Sequence, residues 1–581
     1  MRLPFRVTIA AAALVVGVVA CARIQLGSPE RDREMNESLR AVVTGSAPAY
    51  LKHDPEGARL WKQTRAFYDA RQFSAAWVAG ARPRPQMDAL IQALREADRE
   101  GLDPQLYNVG MLEERRREAS RGFLTDKGFD PREAGALDVW LTYLYMKYAS
   151  DLADGLSDLA RADRTWKIKP EKFDPKPHLE KALAGSGIRE SLHELKPRAG
   201  EYDRLRSLLA KFRAQQAAGG WPKVPRFKLK PGQKSPHVAA LARRLAASED
   251  YRGPVPASSP ASAYPPELQE SVRVFQRRHG LADDGAVGPE VISALNIPVE
   301  RRIEQIAMNM ERWRWLPRDL GSRYILVNIP EMRLDVFEGD AVPISMRVVV
   351  GKSDTPTPIF NDEMTYLVFS PYWNVPTSIA EGETLPSLLK DPDFLARNNM
   401  ETVDATGAAI DPASIDVSDP ASYRFRQRPG ASNSLGLVKF MFPNQFNVYL
   451  HDTPADSLFE RATRSFSHGC VRVEDPVRLA EYVLRDQPEW SRGRIREAMQ
   501  AGEEKTVKLK SPIPVYLGYW TARVRADHTV QFRQDVYNID RRLTTMLADR
   551  LGRMRRTGEA AAAATSAEGA ANSQRGKARK K

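Results

Sequence analysis

The chain has 581 residues, of which 42% are hydrophobic, and a formal net charge of +13. This length exceeds what one hydrophobic core usually organises, so it predicts two to four domains and excludes a wholly disordered protein. The last 31 residues contribute a net charge of +6, from eight Lys or Arg and two Glu. The basic charge fits attraction to anionic lipid or acidic polymer, or solubility alone, and no pattern indicates nucleic acid.

The N-terminus has the composition of an export signal. Arg2 and Arg6 flank the start of an apolar stretch at residues 7–20, which has the length of a signal-peptide core. Residues 1–22 are therefore predicted to be a signal peptide or a lipid-anchor segment. The residues around Cys21 fit a lipobox, in which Cys21 would be lipidated, and equally fit ordinary cleavage; an uncleaved anchor is a third alternative. All three predict a periplasmic protein that contacts a membrane only through its N-terminus.

The chain has two cysteines, Cys21 and Cys470, and the first belongs to the export segment. The folded body therefore holds a single thiol. An even set of cysteines would suggest disulfides in an oxidising compartment, whereas a solitary thiol in an exported protein favours a reactive role. A buried, inert cysteine is the alternative, and by residue type it is the commoner state.

Residues 37–225 are predicted to form a helical scaffold domain. Apolar residues recur there at helical spacing, with Gly101 as a helix stop after one such run, formed by Met87, Leu90, Ile91 and Leu94. The aromatic residues of this region fit core positions better than a ligand groove. The region shows no catalytic constellation.

Residues 230–298 predict three short helices and a tight turn. One helix has Leu268, Val272 and Phe275 on one side. The segments Phe275-Gln276, Asp284-Gly285 and Val287-Gly288-Pro289 resemble the small three-helix peptidoglycan-binding domain. The alternative is a helical spacer, because Asp-Gly and Gly-Pro pairs are common turn chemistry.

Beyond Tyr324 the apolar pattern changes to period two, which predicts strands in an antiparallel sheet. The fold class is therefore predicted as α+β, with a mainly β domain at residues 323–500 after the helical domains. A polar, Pro-rich insertion at about 380–432, with a short helix near 385–389, is predicted to be a lid.

Three further segments complete the predicted organisation. Residues 299–322 are predicted to be a connecting helix, and residues 501–550 a return segment that packs on the scaffold or on the β domain. Residues 551–581 are predicted to be a disordered basic tail, because they are Ala-rich and charged.

The last third of the chain carries the elements of a thiol nucleophile. Such a residue needs a base to generate the thiolate and donors for the oxyanion that forms when it attacks a carbonyl. His468 lies two residues before Cys470, and His451 lies nineteen before it, so on sequence alone either is a candidate base. Gly469 lets the backbone bend and exposes N–H groups near Cys470 as oxyanion donors.

These residues belong to a wider pattern that resembles the L,D-transpeptidase family. Its signature of an upstream His and a terminal Ser-His-Gly-Cys-apolar-Arg matches His451-Asp452-Thr453 and Ser467-His468-Gly469-Cys470-Val471-Arg472. Three further segments resemble the large periplasmic subfamily, which has a helical scaffold, a peptidoglycan-binding domain and an inserted lid. They are Asn309-Met310-Glu311-Arg312-Trp313-Arg314-Trp315-Leu316-Pro317, Trp373-Asn374-Val375-Pro376-Thr377-Ser378-Ile379-Ala380 and Tyr449-Leu450-His451-Asp452-Thr453-Pro454.

The resemblance implies roles for the site residues. Cys470 would be the nucleophile and His451 the general base, with its ring oriented by a backbone carbonyl, while His468 and Gly469 would shape the oxyanion side. The expected substrate-binding residues are Arg472, Ser467, Trp373 and Asn433, and packing between domains is the alternative for Trp373. Arg472 is assigned to a substrate carboxylate, because a guanidinium presents a fork of donors that matches this group.

The implied activity is formation of 3–3 cross-links between peptidoglycan stem peptides, a step in cell-wall biogenesis and cell shape. The partners would be a donor tetrapeptide and the diaminopimelate of an acceptor stem, with carbapenem-type inhibitors and other cell-wall synthesis proteins as further candidates. An L,D-carboxypeptidase, a cross-link hydrolase and a non-enzymatic wall-binding scaffold are the alternatives. No metal-ligand spacing is evident, and neither a metal nor another cofactor is expected.

Overall fold

The computed structural model describes residues 29–46, 55–79, 82–124, 130–156, 165–168, 172–404, 406–411, 423–549 and 551–552. The predicted export segment and nearly all of the predicted basic tail lie outside these residues. The chain divides into two compact units. One comprises the described residues up to 156, those at 172–197 and those after 543, and the other comprises residues 165–168 and 198–543. Among the described residues, no helix has the length and apolar content needed to cross a bilayer.

The first unit is built mainly from helices. The four apolar residues whose spacing predicts a helix from the sequence lie on the buried face of α3. A two-stranded ribbon of β1 (Val78–Ala79) and β2 (Arg82–Pro83) precedes this helix. The helices are α1 (Pro29–Thr44), α2 (Pro55–Ala70), α3 (Pro85–Arg95), α4 (Val109–Leu124), α5 (Pro131–Asp154), α6 (Pro175–Lys181) and α7 (Ile188–His193).

A buried carboxylate holds the chain at the start of this ribbon. Asp138 on α5 accepts hydrogen bonds from the backbone N–H groups of Ala76, Trp77 and Val78 at 2.8, 2.7 and 3.0 Å. It also accepts a 2.6 Å bond from the Tyr68 hydroxyl. Burial raises the pKa of Asp138, although these donors act in the opposite direction. The carboxylate is tolerated in the core because its oxygens are satisfied.

The second unit begins with α8 (Gly200–Ala217), which the sequence assigns to the scaffold at residues 37–225. In the structure this helix belongs with the residues that follow it, because it packs against α12 (Val299–Arg314). Arg314 on α12 donates a 2.8 Å hydrogen bond to the Tyr202 hydroxyl on α8. Both residues are buried.

Three helices between these two share one core, as the sequence predicts for this region. The Asp284-Gly285 turn is tied to the middle helix by Gln276, which accepts a 2.8 Å bond from the Gly285 N–H and donates a 2.9 Å bond to Asp284. Gly285 has φ +74°, a left-handed conformation that favours glycine. The helices are α9 (Val238–Ala247), α10 (Pro266–Arg278) and α11 (Pro289–Leu295).

The β domain is a nine-stranded sheet in the order β13-β5-β14-β12-β11-β6-β15-β3-β4. Because β4 also pairs with β5, the sheet closes on itself. Strand side chains alternate between the enclosed core and the outer face. The strands are β3 (Arg323–Asn328), β4 (Arg333–Glu338), β5 (Ala341–Gly351), β6 (Phe360–Phe369), β11 (Val438–Met441), β12 (Leu450–His451), β13 (Ser465–Ser467), β14 (Val471–Val473) and β15 (Lys505–Gly518), with helices α16 (Pro476–Val483) and α17 (Arg492–Gln500) before the last strand.

Two features of this sheet differ from the sequence expectation. The sheet is mixed rather than antiparallel, since β15 runs parallel to β3, β12 to β14 and β13 to β5. Period-two alternation indicates which face of a sheet a residue occupies, but it does not indicate the direction of the neighbouring strand. The antiparallel prediction was therefore wrong for a reason that the sequence pattern could not reveal. In addition, β15 lies between β6 and β3, so the segment after residue 500 supplies a strand of the sheet instead of packing on its outside.

The insertion expected to be a lid has more structure than its polar, Pro-rich sequence predicts. It contains a four-stranded sheet in the order β7-β10-β8-β9, and Leu385, Leu395 and Phe425 form its small core. The sheet begins at residue 373, before the expected start at about 380. The elements are β7 (Trp373–Asn374), β8 (Met400–Val403), β9 (Ala409–Ile410) and β10 (Arg424–Gln427), with helices α13 (Thr377–Ile379), α14 (Leu385–Lys390) and α15 (Phe394–Arg397).

A buried ion network joins α8 to the β domain inside the second unit. It lies on the strand pair β16 (Ala522–Val524) and β17 (Val530–Phe532). Arg523 donates to Glu201 on α8 at 2.8 Å, to Glu331 at 3.1 Å and to Asp335 at 3.2 Å. All four side chains are less than one-tenth exposed. Each of the three carboxylates lies more than a hundred residues from Arg523 in the chain, so only the fold brings them to this cation.

Candidate active site

The candidate nucleophile lies in a tight turn between β13 and β14. Gly469 has φ +119°, which only glycine adopts without strain, and this allows the chain to turn immediately before Cys470. The buried Ser467 side chain closes the turn. Its hydroxyl donates to the Cys470 carbonyl at 2.5 Å and accepts the Gly469 N–H at 3.2 Å.

The loop that contains Thr355 and Thr357 holds this turn through hydrogen bonds to its backbone carbonyls. The Thr357 hydroxyl donates to the Gly469 carbonyl at 2.8 Å, and the Thr355 hydroxyl donates to the Ser467 carbonyl at 3.2 Å. The Tyr537 hydroxyl accepts the Thr357 N–H at 3.2 Å. These bonds fix the backbone of the turn through its carbonyls, so the position of Cys470 is set by residues far away in sequence.

His451 lies on the neighbouring strand, where it pairs with Arg472 in the parallel ladder between β12 and β14. Its Nδ1 lies 2.6 Å from the carbonyl oxygen of Asp452. A carbonyl only accepts hydrogen bonds, so Nδ1 carries the proton and Nε2 is the unprotonated nitrogen of the neutral ring. This is the tautomer that a general base requires.

Cys470 is partly exposed, and its thiol makes polar contacts with two residues, Asn447 and Tyr449. The thiol donates a hydrogen bond to the Asn447 carbonyl, with 3.8 Å between Sγ and the carbonyl oxygen. The hydroxyl and the backbone N–H of Tyr449 also interact with the sulfur and favour its thiolate form. Because Tyr449 precedes His451 by two residues on an extended segment, both side chains are on one side of it.

The electrostatics of the pair favour neutral groups at rest. Burial, reinforced by the charge of Arg472, lowers the pKa of His451 to about 3, although two backbone carbonyls act in the opposite direction. Burial raises the pKa of the Cys470 thiol, although Tyr449 and Arg472 act in the opposite direction. The site therefore holds a thiol and a neutral imidazole, and the proton moves only during attack.

The structure narrows the sequence expectation for the oxyanion donor. That expectation assigns this role to amides around Gly469 and Cys470, but the Gly469 N–H is occupied by the Ser467 hydroxyl. The Cys470 N–H has no acceptor in the described part of the chain. This amide is therefore the available donor for an oxyanion.

The predicted substrate residues fall into different positions. Arg472 follows Cys470 on β14, and its buried Nε has no hydrogen-bond partner among the described residues. Trp373 is partly buried and pairs with Gln427 in the sheet of the insertion. Ser467 is 2% exposed, and its hydroxyl forms hydrogen bonds within the turn. This side chain is therefore not placed for direct contact with substrate.

Asn433 does not fit a substrate-binding role either. Its side chain is fully buried, and its amide donates to the carbonyls of Pro371 and Arg428, both at 3.0 Å. Its side-chain oxygen accepts the Leu435 N–H at 2.8 Å. No surface remains for a ligand, so Asn433 holds together the two chain segments at the base of the insertion.

His468 contacts the insertion. Its Nε2 lies 2.8 Å from a carboxylate oxygen of Glu383, which lies in a π-helical turn at Ala380–Thr384. Both side chains are substantially exposed, so the pair contributes little to stability. In this structure His468 faces the insertion, and its predicted role on the oxyanion side stays a prediction.

Several residues of the site were not found by sequence reasoning. The position of Tyr449, two residues before His451, carries a detectable signal, because alternation places both on one side of a strand. No sequence pattern near Cys470 indicates the supporting residues Thr355, Thr357 and Tyr537, because only the tertiary fold brings them close to it. Among the described residues, no cluster of His, Cys, Asp and Glu has the arrangement of a metal site.

The neutral ground state predicts an unusual pH dependence of thiol reactivity. Iodoacetamide should alkylate native Cys470 at pH 7 more slowly than the same cysteine in urea, because the raised pKa leaves less thiolate than the few per cent of a free thiol. The rate should rise about tenfold per pH unit up to at least pH 8.5. Mass spectrometry of the Cys470 peptide across pH 5–10 measures this.

Arg472→Gln should slow the alkylation further, since the charge of Arg472 lowers the pKa of Cys470. A rate that is constant between pH 5 and pH 7 would indicate a thiolate–imidazolium pair and would contradict the neutral site.

Comparison with protein-family models identifies three segments of the chain. Residues 322–508 match the model described as an L,D-transpeptidase catalytic domain, and residues 62–209 match a scaffold domain. Residues 234–295 match a model described as “Putative peptidoglycan binding domain”. The α+β fold class and the three kinds of domain expected from the sequence are confirmed.

A curated protein of Haemophilus influenzae, described as “Putative L,D-transpeptidase”, is 34% identical over 243 residues. The match covers 41% of this chain and 49% of that protein, so the chain spans about half the length of this relative.

Similar solved structures include two bacterial L,D-transpeptidases. One from Mycobacterium smegmatis is 14% identical with a TM-score of 0.17, and the match covers 34% of this chain and 58% of that one. One from Xylanimonas cellulosilytica is 15% identical with a TM-score of 0.17, covering 51% and 99%. A third, an L,D-transpeptidase in complex with imipenem, is 13% identical with a TM-score of 0.16, covering 34% and 58%. TM-scores this low support no conclusion about this chain.

Proposed function

The chain carries an L,D-transpeptidase catalytic domain together with a peptidoglycan-binding domain and a scaffold domain, and we propose that it forms 3–3 cross-links between peptidoglycan stem peptides through a Cys470 thioester. The observation that carries this proposal is the tautomer of His451. Its Nδ1 proton is held by the Asp452 carbonyl, which leaves Nε2 as a base on the strand beside Cys470.

The first half of the reaction is acylation. His451 Nε2 takes the Sγ proton of Cys470 as the sulfur bonds to the carbonyl carbon after the third stem residue. The Cys470 N–H stabilises the oxyanion. The C–N bond then breaks, the proton passes from His451 to the departing amine, and D-alanine leaves a thioester behind.

The second half transfers the acyl group. The side-chain amine of another stem's diaminopimelate attacks the thioester and gives its proton to His451, which returns it to the sulfur as the C–S bond breaks. Water in place of the amine would give an L,D-carboxypeptidase with the same residues. Both reactions need the neutral His451 that its pKa of about 3 supplies at physiological pH.

The remaining parts of the proposal concern location and partners. The export segment at residues 1–22 supports a periplasmic site of action, with a membrane contact only through that segment. The peptidoglycan-binding domain would hold the enzyme on its substrate, and other cell-wall synthesis proteins are candidate partners. A carbapenem should acylate Cys470, because its strained carbonyl presents the same electrophile to the thiol.

Analysis of muropeptides after incubation with purified enzyme tests the proposal. We expect a tetrapeptide donor to yield D-alanine and a dimer that is joined between two third-position residues. Tripeptide without dimer would instead identify a carboxypeptidase. Cleavage of pre-formed cross-linked dimers would identify a hydrolase, and unchanged muropeptides would contradict an enzymatic role and leave a wall-binding scaffold.

A further inference from the structure

A row of three polar side chains crosses the outer face of the sheet at the candidate site. In the ladder between β12 and β14, His451 pairs with Arg472, and in the ladder between β11 and β12 it pairs with Lys439. Directly paired residues of neighbouring strands project to the same face of a sheet. Arg472, His451 and Lys439 therefore lie side by side, with the base between two cations.

The face to which they project is the outer one. Leu450, the residue before His451, is completely buried, and so are its partners Phe440 and Val471 on the two flanking strands. Alternation then directs their neighbours His451, Arg472 and Lys439 to the opposite, outer face. Lys439 and Arg472 are accordingly partly exposed, His451 between them is 4% exposed, and Cys470, two residues before Arg472, is also partly exposed.

Lys439 is held in an environment that does not neutralise it. Its side chain is 16% exposed, and burial lowers its pKa. Its nearest carboxylate, that of Glu504, is 3.9 Å from the ammonium nitrogen, at the outer limit of an ion pair. The same Glu504 oxygen accepts the Tyr372 N–H at 2.8 Å. A largely buried cation with so weak a counter-ion is unfavourable unless something else supplies negative charge.

Arg472, on the other side of His451, also lacks a close negatively charged partner. No carboxylate of the described chain lies within ion-pair distance of it, and its buried Nε lacks an acceptor. Neighbouring strands are about 4.8 Å apart, so the backbones of Arg472 and Lys439 are separated by roughly 10 Å. The site thus presents two under-neutralised cations, one on each side of the base.

We propose that Lys439 is a specificity-determining residue that binds a second carboxylate of the donor stem, while Arg472 binds the first. This inference rests on the proposed function. A tetrapeptide donor carries a carboxylate on its departing D-alanine and another on the side chain of its diaminopimelate, on opposite sides of the attacked carbonyl. The D-alanine carboxylate fits Arg472, which lies two residues after Cys470, and the diaminopimelate carboxylate fits Lys439, which lies two strands from Arg472.

Two donors that differ at one group test this assignment. One has the free side-chain carboxylate of diaminopimelate, and the other has that group converted to an amide. We expect the wild-type protein to form its acyl-enzyme from the free form with a kcat/KM about ten- to a hundredfold higher, because a charge-assisted hydrogen bond is lost in the amide. Lys439→Met should abolish this preference, mainly by raising KM for the free form, and Lys439→Arg should restore much of it.

Lys508→Met is the matched control. Lys508 is an exposed lysine on β15, which pairs with Tyr366 two strands beyond β11. It should leave the ratio between the two donors unchanged. The Lys439 assignment is overturned if the wild-type protein uses both donors equally or if Lys439→Met keeps the wild-type ratio. Absence of acyl-enzyme with both donors in the wild type, by contrast, refutes the transpeptidase proposal and removes the basis of this one.

Discussion

Cys470→Ala should abolish acyl transfer completely. The variant should release no D-alanine from a tetrapeptide donor, form no cross-linked dimer and show no mass increase after incubation with a carbapenem. The reason is that Cys470 holds the single thiol of the folded body, and the acyl-enzyme of the proposed reaction is a thioester of this residue. The expected loss is at least a thousandfold, as for other enzymes that lose a covalent nucleophile. Intact-protein mass spectrometry and muropeptide analysis measure it.

The same variant should keep its fold and its affinity for sacculi. Its turn is held by Ser467, Thr355 and Thr357 through backbone atoms and does not depend on the thiol. Unchanged pull-down on purified sacculi together with lost activity would separate catalysis from wall binding. Cross-link formation that persists in Cys470→Ala would refute the thioester mechanism.

Arg523→Met should strongly destabilise the unit that contains the sheet. The change leaves Glu201, Glu331 and Asp335 buried without their shared cation. Removal of one partner from a buried ion network costs about 3–5 kcal/mol in the free energy of unfolding. Urea unfolding at pH 7, followed by tryptophan fluorescence, should show the transition at a clearly lower urea concentration.

The pH dependence of this loss identifies its cause. Burial alone would raise the pKa of Glu331, but the charges of Arg523, Arg525 and Arg533 outweigh it and hold that pKa well below its usual range. A carboxyl group with a lowered folded-state pKa stabilises the fold above its unfolded pKa of about 4.3, and this contribution disappears as the pH falls. The difference between wild type and Arg523→Met should therefore narrow below about pH 4.

Arg494→Met is the matched control for this experiment. Arg494 also pairs with a glutamate, Glu497 at 3.1 Å, but both side chains are more than half exposed. Its removal should change the free energy of unfolding by no more than about 0.5 kcal/mol. An equal effect of the two substitutions would show that the buried network contributes nothing specific.

The sequence alone determined the domain plan and the reactive segment. Local patterns carry this information. Helical spacing marks α3, the Asp284-Gly285 turn marks the small three-helix domain, and the residues around Cys470 carry the family signature. Each of these patterns lies within a short stretch of chain, so it can be recognised without knowledge of the fold.

The tertiary structure decided what these residues do. The sequence predicts that Asn433 and Ser467 contact substrate. In the fold both side chains are buried and form hydrogen bonds to backbone carbonyls, so they stabilise the surrounding chain instead. Strand direction and the position of β15 inside the sheet depend on long-range pairing, which alternation of side chains does not encode.

The same holds for the polar row around His451. Lys439 lies twelve residues before the base and Arg472 twenty-one after it, and nothing in their spacing relates them. Only strand register sets the three side by side, because residues paired across a sheet share a face regardless of their separation in the chain. The sequence thus determined the nucleophile, whereas the ladder of the folded sheet determined which charges surround its base.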